Sequence, residues 1–385
     1  MIPELLALAA RAVLRPEQQD RLRLAADSFS EWDALPAMAE QHGIAPLLYT
    51  HLAAAGIPVP ATTMLALKGL ALRHRSANAI RFAELQRILT ALHAAQIPVL
   101  LLKGAALAHV VYPDPALRPM RDIDLLIHPD VAVEAQSTLA SLGYKVPPAY
   151  PGKQLIDHHH LPPCVRVVDG LSVCIELHHR PLYAERPSPA SAFDALYADA
   201  RPVTVGTVGA LTPPLEALLW QTYRHGLACP VLHEPFCLKD VADTYSLLDA
   251  YHDVLDWPGL RTRRPRLMAA LRMLHHLAPL SPAVAPHVAP SSRPPHGVGV
   301  SFAGCPTLSW PAQRAAGKSV ARILRDSLLP SDWWLGIYYG QSSRSARLYL
   351  RGIRHPAHML YWTWRFIYES MAQHPYRTRH TTAKG

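Results

Sequence analysis

Cysteine is scarce in this chain, and what there is cannot be paired off. Cys164, Cys174, Cys229, Cys237 and Cys305 are odd in number and lack C-x-x-C spacing, which argues against both a disulfide framework and a structural zinc site. The amino terminus does not read as a secretory leader either: Met1-Ile2-Pro3-Glu4 carries an acid where such a segment carries positive charge, and the apolar stretch after it is brief. Together these predict a protein of a reducing, bacterial-type cytoplasm. No uncharged run reads as a membrane span. The longest, between Glu40 and Lys68, is broken by Pro46, Pro58 and Pro60 and carries His42 and His51, so it predicts buried helices joined by a turn. Charged residues make up only 17% of the 385 and hydrophobic ones 50%, a balance that excludes a disordered polymer and predicts two or three packed units. The 37 prolines keep many segments short or bounded by turns.

The net charge of +9 has one location. From Ala312 to the end, twelve Lys or Arg face Asp326, Asp332 and Glu369, so this stretch holds the whole excess and residues 1–311 are neutral. Mixed with Trp333, Trp334, Tyr361, Trp364 and Tyr368, such a tail suits nucleic acid, an anionic membrane surface or a phosphorylated substrate. Charge runs are more often solvated faces. The preferred reading is therefore a basic surface over an aromatic core.

Apolar periodicity divides the rest. Residues 1–95 are helical, most clearly where Leu85, Ile88, Leu89 and Leu92 fall on one face. Val99 to Leu102 then forms a short buried strand, ended by a Lys103-Gly104 turn and a brief helix from Ala105 to Val111. A second strand, Asp122 to Ile127, alternates, which throws Asp122, Asp124 and Leu126 to one side and Ile123, Leu125 and Ile127 to the other. Pro129-Asp130 opens a helix that Gly143 stops. Asp169-Gly170 joins Val165–Val168 to Leu171–His178 as a hairpin, with Glu176 on its polar face. Helices resume from Thr212-Pro213 and again from Phe236 to Tyr251. Residues 279–311, with eight prolines and no acid, read as a long loop, and there is no internal repeat.

Two carboxylates on one strand face raise each other's cost of ionising unless something positive compensates. A divalent cation does so, and Asp122-Ile123-Asp124 with Glu176 from a neighbouring strand is the arrangement that holds Mg²⁺ for displacement at phosphorus. The D-x-D pair alone is weak. Its setting, a Lys-Gly turn and Arg121 beside it, adds the tight backbone and positive charge a triphosphate requires.

Leu102-Lys103-Gly104-Ala105-Ala106-Leu107 and the stretch from Tyr112-Pro113-Asp114-Pro115 through Arg118-Pro119-Met120-Arg121-Asp122-Ile123-Asp124 resemble the bacterial uncharacterised nucleotidyltransferase family. That family is part of the DNA polymerase beta-type nucleotidyltransferase superfamily. The resemblance extends back to His42-Gly43-Ile44-Ala45-Pro46 and forward through Ile175-Glu176-Leu177-His178 and Leu238-Lys239-Asp240 to Leu329-Pro330-Ser331-Asp332. It implies an α+β fold, a small mixed sheet carrying three acids and flanked by helical regions. It also implies transfer of a nucleoside monophosphate from an NTP, with Mg²⁺ or Mn²⁺ held by Asp122, Asp124 and Glu176. Lys103-Gly104 stands where the superfamily has a Gly-Ser turn, but Ala105 and Ala106 follow. Phosphate contacts would then fall to backbone N–H groups there and to Lys103, Arg118 or Arg121.

The corresponding division is a helical region 1–95, a catalytic core 96–205, a helical substrate-side domain 206–278, a proline-rich loop 279–311 and a basic aromatic region 312–385. Gly317-Lys318-Ser319 is no phosphate loop, because Ala312 stands where the motif needs glycine. The run His158-His159-His160, beside His178-His179, suits substrate contact or plain surface better than zinc. His178 shares a strand face with Glu176 and suits either orienting that acid or a structural role, while His225 and Asp240 read as core polar residues. The acceptor is open: a small molecule, a macromolecule such as tRNA in a toxin-like enzyme, or none in a non-catalytic relative. Nothing in the sequence selects among ATP, CTP, GTP and UTP.

Overall fold

The computed structural model describes residues 2–146, 159–181, 188–228, 236–300, 314, 317–340 and 344–372. Five helices come first: α1 (Glu4–Leu8), α2 (Pro16–Asp27), α3 (Leu35–Gln41), α4 (Ala45–Ala54) and α5 (Ala61–Ala94). In the uncharged Glu40–Lys68 interval, α4 and the start of α5 are separated by the turn around Pro58 and Pro60, as the prolines predict. Then follow β1 (Val99–Leu101), α6 (Lys103–Val110), β2 (Asp122–Ile127), α7 (Ala132–Ser141), β3 (Cys164–Val168) and β4 (Leu171–His178). Both turn residues of the β3–β4 hairpin, Asp169 (φ 49) and Gly170 (φ 79), are left-handed, as a primed turn requires.

The four strands form one mixed sheet in the order β1-β2-β4-β3, in which β2 and β4 run parallel and the outer pairs antiparallel. One face is apolar. Ile123, Leu125, Val173, Ile175 and Leu177 join the main core together with Leu85, Ile88, Leu89 and Leu92 of α5, the stripe expected from their spacing. The other face divides. At one end Leu100, Leu102 and Leu126 pack under Phe193 of α8 (Pro189–Ala198). At the other end the acids of β2 and β4 lie on the opposite side from the core. The element α8 and the two-stranded sheet β5 (Arg201–Val205) with β6 (Val208–Thr212) carry no clear period, and sequence reading misses them.

Helices complete the chain: α9 (Leu215–Thr222), α10 (Leu238–Tyr251), α11 (Trp257–Arg263), α12 (Pro265–Leu274), α13 (Ala285–Val288), α14 (Val320–Leu328), α15 (Asp332–Tyr339), α16 (Arg344–Tyr349) and α17 (His355–Ala372). The aromatic-core expectation for the carboxyl-terminal region holds for α15, where Trp333, Trp334 and Tyr339 are buried. It is corrected beyond. Tyr349, Tyr361, Trp364 and Tyr368 are exposed, because that face of α16–α17 packs against nothing else among the described residues. No described helix is long and apolar enough to cross a membrane.

Candidate active site

The site grows from one register. Parallel pairing sets Asp122 opposite Cys174, Asp124 opposite Glu176 and Leu126 opposite His178, so the polar residues of both strands share a face. Among the described residues a single group of metal-ligating atoms gathers: Asp124, Glu176 and His178, with one atom of each within 4.8 Å of the others. The expected trio is thus brought to one face, but the tightest set takes His178 where the sequence suggested Asp122. The reason is the register, which leaves Asp122 one step behind its partners.

Asp124 is buried and doubly partnered. Its Oδ1 accepts from Lys103 Nζ at 2.7 Å and from His178 Nε2 at 2.8 Å. Burial by itself would raise this carboxyl; the His178 hydrogen bond and the Lys103 charge overturn that and hold it well below the usual carboxylate range. Glu176 Oε2 lies 3.7 Å from His178 Nε2 and 4.0 Å from Lys103 Nζ. Asp122 goes the other way. Burial, then the charges of Asp124 and Glu176, push its carboxyl up. The face is therefore short of positive charge, and two carboxylates with an imidazole are a donor set that suits a divalent cation.

Lys103 reaches the acids through a costly backbone. It opens α6 in the left-handed region (φ 43), which an L side chain adopts at a cost of roughly 1–3 kcal/mol. Lys103 and Gly104 are thus the first residues of α6 rather than a turn before it. The N-cap residue Leu102 offers no side-chain bond to that helix, and within its first turn the Lys103 N–H turns to the Gln221 side chain.

Arg118 is a correction. Expected to face phosphate, it is instead enclosed against Asp243 of α10, with Nε at 2.9 and 3.1 Å and a terminal nitrogen at 2.7 Å from the carboxylate. Tyr112 donates to the same carboxylate at 2.7 Å. The fork lies against Gly104, where an added Cβ would come within 2.3 Å of it and 3.0 Å of the Met120 sulfur. Gly104 is small because Arg118 fills the space. Arg121 is exposed and makes no ion pair among the described residues.

His159 and His160 do lie beside His178, with the His160 and His178 rings 5.4 Å apart, but neither joins the metal-ligating group. Burial pushes His159 down to about 4. His158 lies outside the described residues, as do Cys229 and Cys305. Sequence reasoning underrated three neighbours. Gln221 accepts from the Lys103 N–H at 3.4 Å. His225, in the wide turn Tyr223–Leu227, is pushed down to about 3 by burial and then by the charge of Lys103. Lys239 adds positive charge that acts on Asp122. The wide turn leaves no trace in residue type, whereas Leu238-Lys239-Asp240 was part of the family pattern.

A sheet face of clustered acids thus lies beside the start of α6. The chain matches the family model described as uncharacterised nucleotidyltransferase over residues 28–282, about two-thirds of its length, and belongs to that family. It is a transferase. No curated protein matches it. Among solved structures it is similar to a solution structure of the antibiotic-resistance factor ANT(2'')-Ia, at 16% identity and TM-score 0.33, covering 51% of this chain and 98% of that one. A crystal structure of ANT(2'')-Ia in complex with adenylyl-2''-tobramycin gives 14% identity and TM-score 0.31, covering 44% and 89%.

Proposed function

We propose that the protein moves a nucleoside monophosphate from an NTP to an acceptor hydroxyl and releases pyrophosphate, with Asp122, Asp124 and Glu176 holding Mg²⁺ or Mn²⁺. The observation that carries this reading is the convergence of Asp124, Glu176 and His178 on one face of two parallel strands. Such a cation, when bound, neutralises phosphate charge and makes the acceptor hydroxyl more acidic. Asp124, held ionised by His178 and Lys103, keeps its negative charge throughout. Glu176, whose side chain is 19% exposed, is, unlike the enclosed Asp124, a carboxylate that solvent and an acceptor can reach. As the acceptor oxygen bonds to the α-phosphorus, the bond to the bridging oxygen breaks and pyrophosphate leaves with its electron pair. The acceptor proton passes to Glu176. The α6 N–H groups and Lys103 steady the phosphates.

The test is pyrophosphate release from each labelled NTP with Mg²⁺ or Mn²⁺ in cell extract, comparing wild type with Asp124→Asn. Release lower by at least about 100-fold in the variant supports the mechanism; equal release ends it, and a wild type that binds no NTP by calorimetry points to a non-catalytic relative.

One observation favours an RNA acceptor. Trp364 and Tyr368 stack at 5.7 Å on the exposed face of α17, and bases stack on such platforms. Labelled nucleotide appearing on tRNA would select this version, and its absence with label on small molecules would remove it. A cytoplasmic setting, where NTPs are found, goes with either acceptor.

A further inference from the structure

We propose that Arg81, a buried guanidinium on α5 with no hydrogen-bond partner among the described residues, is the residue that grips the polyphosphate of the NTP. This rests on the nucleotidyl-transfer reading and adds a residue to it. Three arginines are buried in the described chain: Arg11, Arg81 and Arg118, at 2%, 7% and 6% exposure. Two are satisfied. Arg11 pairs with Asp249 at 2.5 Å, bonds the Pro279 carbonyl and lies over the Tyr245 ring, and Arg118 is chelated by Asp243. Among the described residues Arg81 has neither an ion pair nor a hydrogen bond. Its Nε is enclosed and has no hydrogen-bond partner. A buried charge left like this is unfavourable unless an anion completes it.

The position of Arg81 says which anion. One helical turn earlier Asn78 Nδ2 donates to the Arg118 carbonyl at 2.7 Å, which ties α5 to the loop running into β2. Arg81 follows three residues later on the same buried face of α5, within reach of the Asp122 charge. A cation held by the carboxylates would bring the phosphates it binds to this rim. The planar guanidinium then offers two parallel donors to phosphate oxygens, which a lysine cannot match. The competing role is structural: Arg81 as a counter-charge that only steadies Asp122.

Calorimetry on the full chain separates the two, with pyrophosphate, a non-hydrolysable NTP analogue, a nucleoside and Mn²⁺ alone as ligands. Arg81→Gln is expected to weaken pyrophosphate and analogue binding at least tenfold while nucleoside and Mn²⁺ affinities stay within twofold. Arg81→Lys should recover only part. Unchanged polyphosphate affinity in Arg81→Gln, with altered Mn²⁺ affinity, overturns the proposal and leaves the transferase reading standing. No polyphosphate binding by the wild type removes both. If neither variant folds, the Arg81 Nε–H resonance of the wild type decides: a shift with pyrophosphate and none with nucleoside supports the contact, and no shift with either overturns it.

Discussion

Two clusters of buried charge lie on either side of Gly104, and they are built on opposite principles. Around Asp243, Arg118 and Tyr112 supply donors that saturate one carboxylate, and the group closes on itself. Around Asp124, that acid and Glu176 share Lys103 and His178, with Asp122 pushed up by its neighbours and Arg81 unbonded among the described residues. A closed cluster is architecture. An open one leaves charge uncompensated, and incompleteness is what a ligand can use.

Breaking the closed cluster should have the largest effect. Asp243→Ala strands the Arg118 charge and is expected to cost about 3–5 kcal/mol in equilibrium unfolding by urea, whereas Arg118→Met combined with Asp243→Leu should regain most of that loss. If the single variant is as stable as wild type, Arg118 is not held by Asp243. Next comes the wall between the clusters. Gly104→Ala drives a methyl into a guanidinium that its three contacts to Asp243 prevent from moving, so destabilisation of about 1–3 kcal/mol is expected by the same measurement. The smallest effect has the opposite sign. The folded-state carboxyl of Asp122 is raised, so its ionised form opposes folding above that pKa. At pH 7 with chelator present, Asp122→Asn should therefore gain about 1 kcal/mol while losing divalent-cation affinity. A loss of stability there would mean that the site is closed after all.

How much of this was legible depended on whether a signal was local. The strand Asp122–Ile127, the Asp169-Gly170 hairpin and the α5 stripe announce themselves within ten residues, because side-chain period and turn geometry are properties of adjacent residues. Arg118 misled for the converse reason. An arginine four residues from Asp122 reads as a site cation, yet its carboxylate partner is 125 residues away, and no spacing rule reaches that far. Arg81 was hidden differently. Asn78, Arg81, Glu84, Leu85 and Ile88 keep helical spacing on one buried face, so its apolar members read as core and its polar members drew no attention. The exposed aromatics of α17 could not be told from the buried ones of α15 by composition, since burial is decided by what packs against a helix.

The sequence by itself determined that two aspartates and a glutamate would project from alternating strands, because a side-chain period of two permits nothing else. Tertiary structure decided which of them meet, through a parallel register that joins Asp124 to Glu176 and His178 and leaves Asp122 a step away. It also decided which arginine is fastened and which is left over. Electrostatic partnership depends on distance through space, and only the folded chain sets that distance.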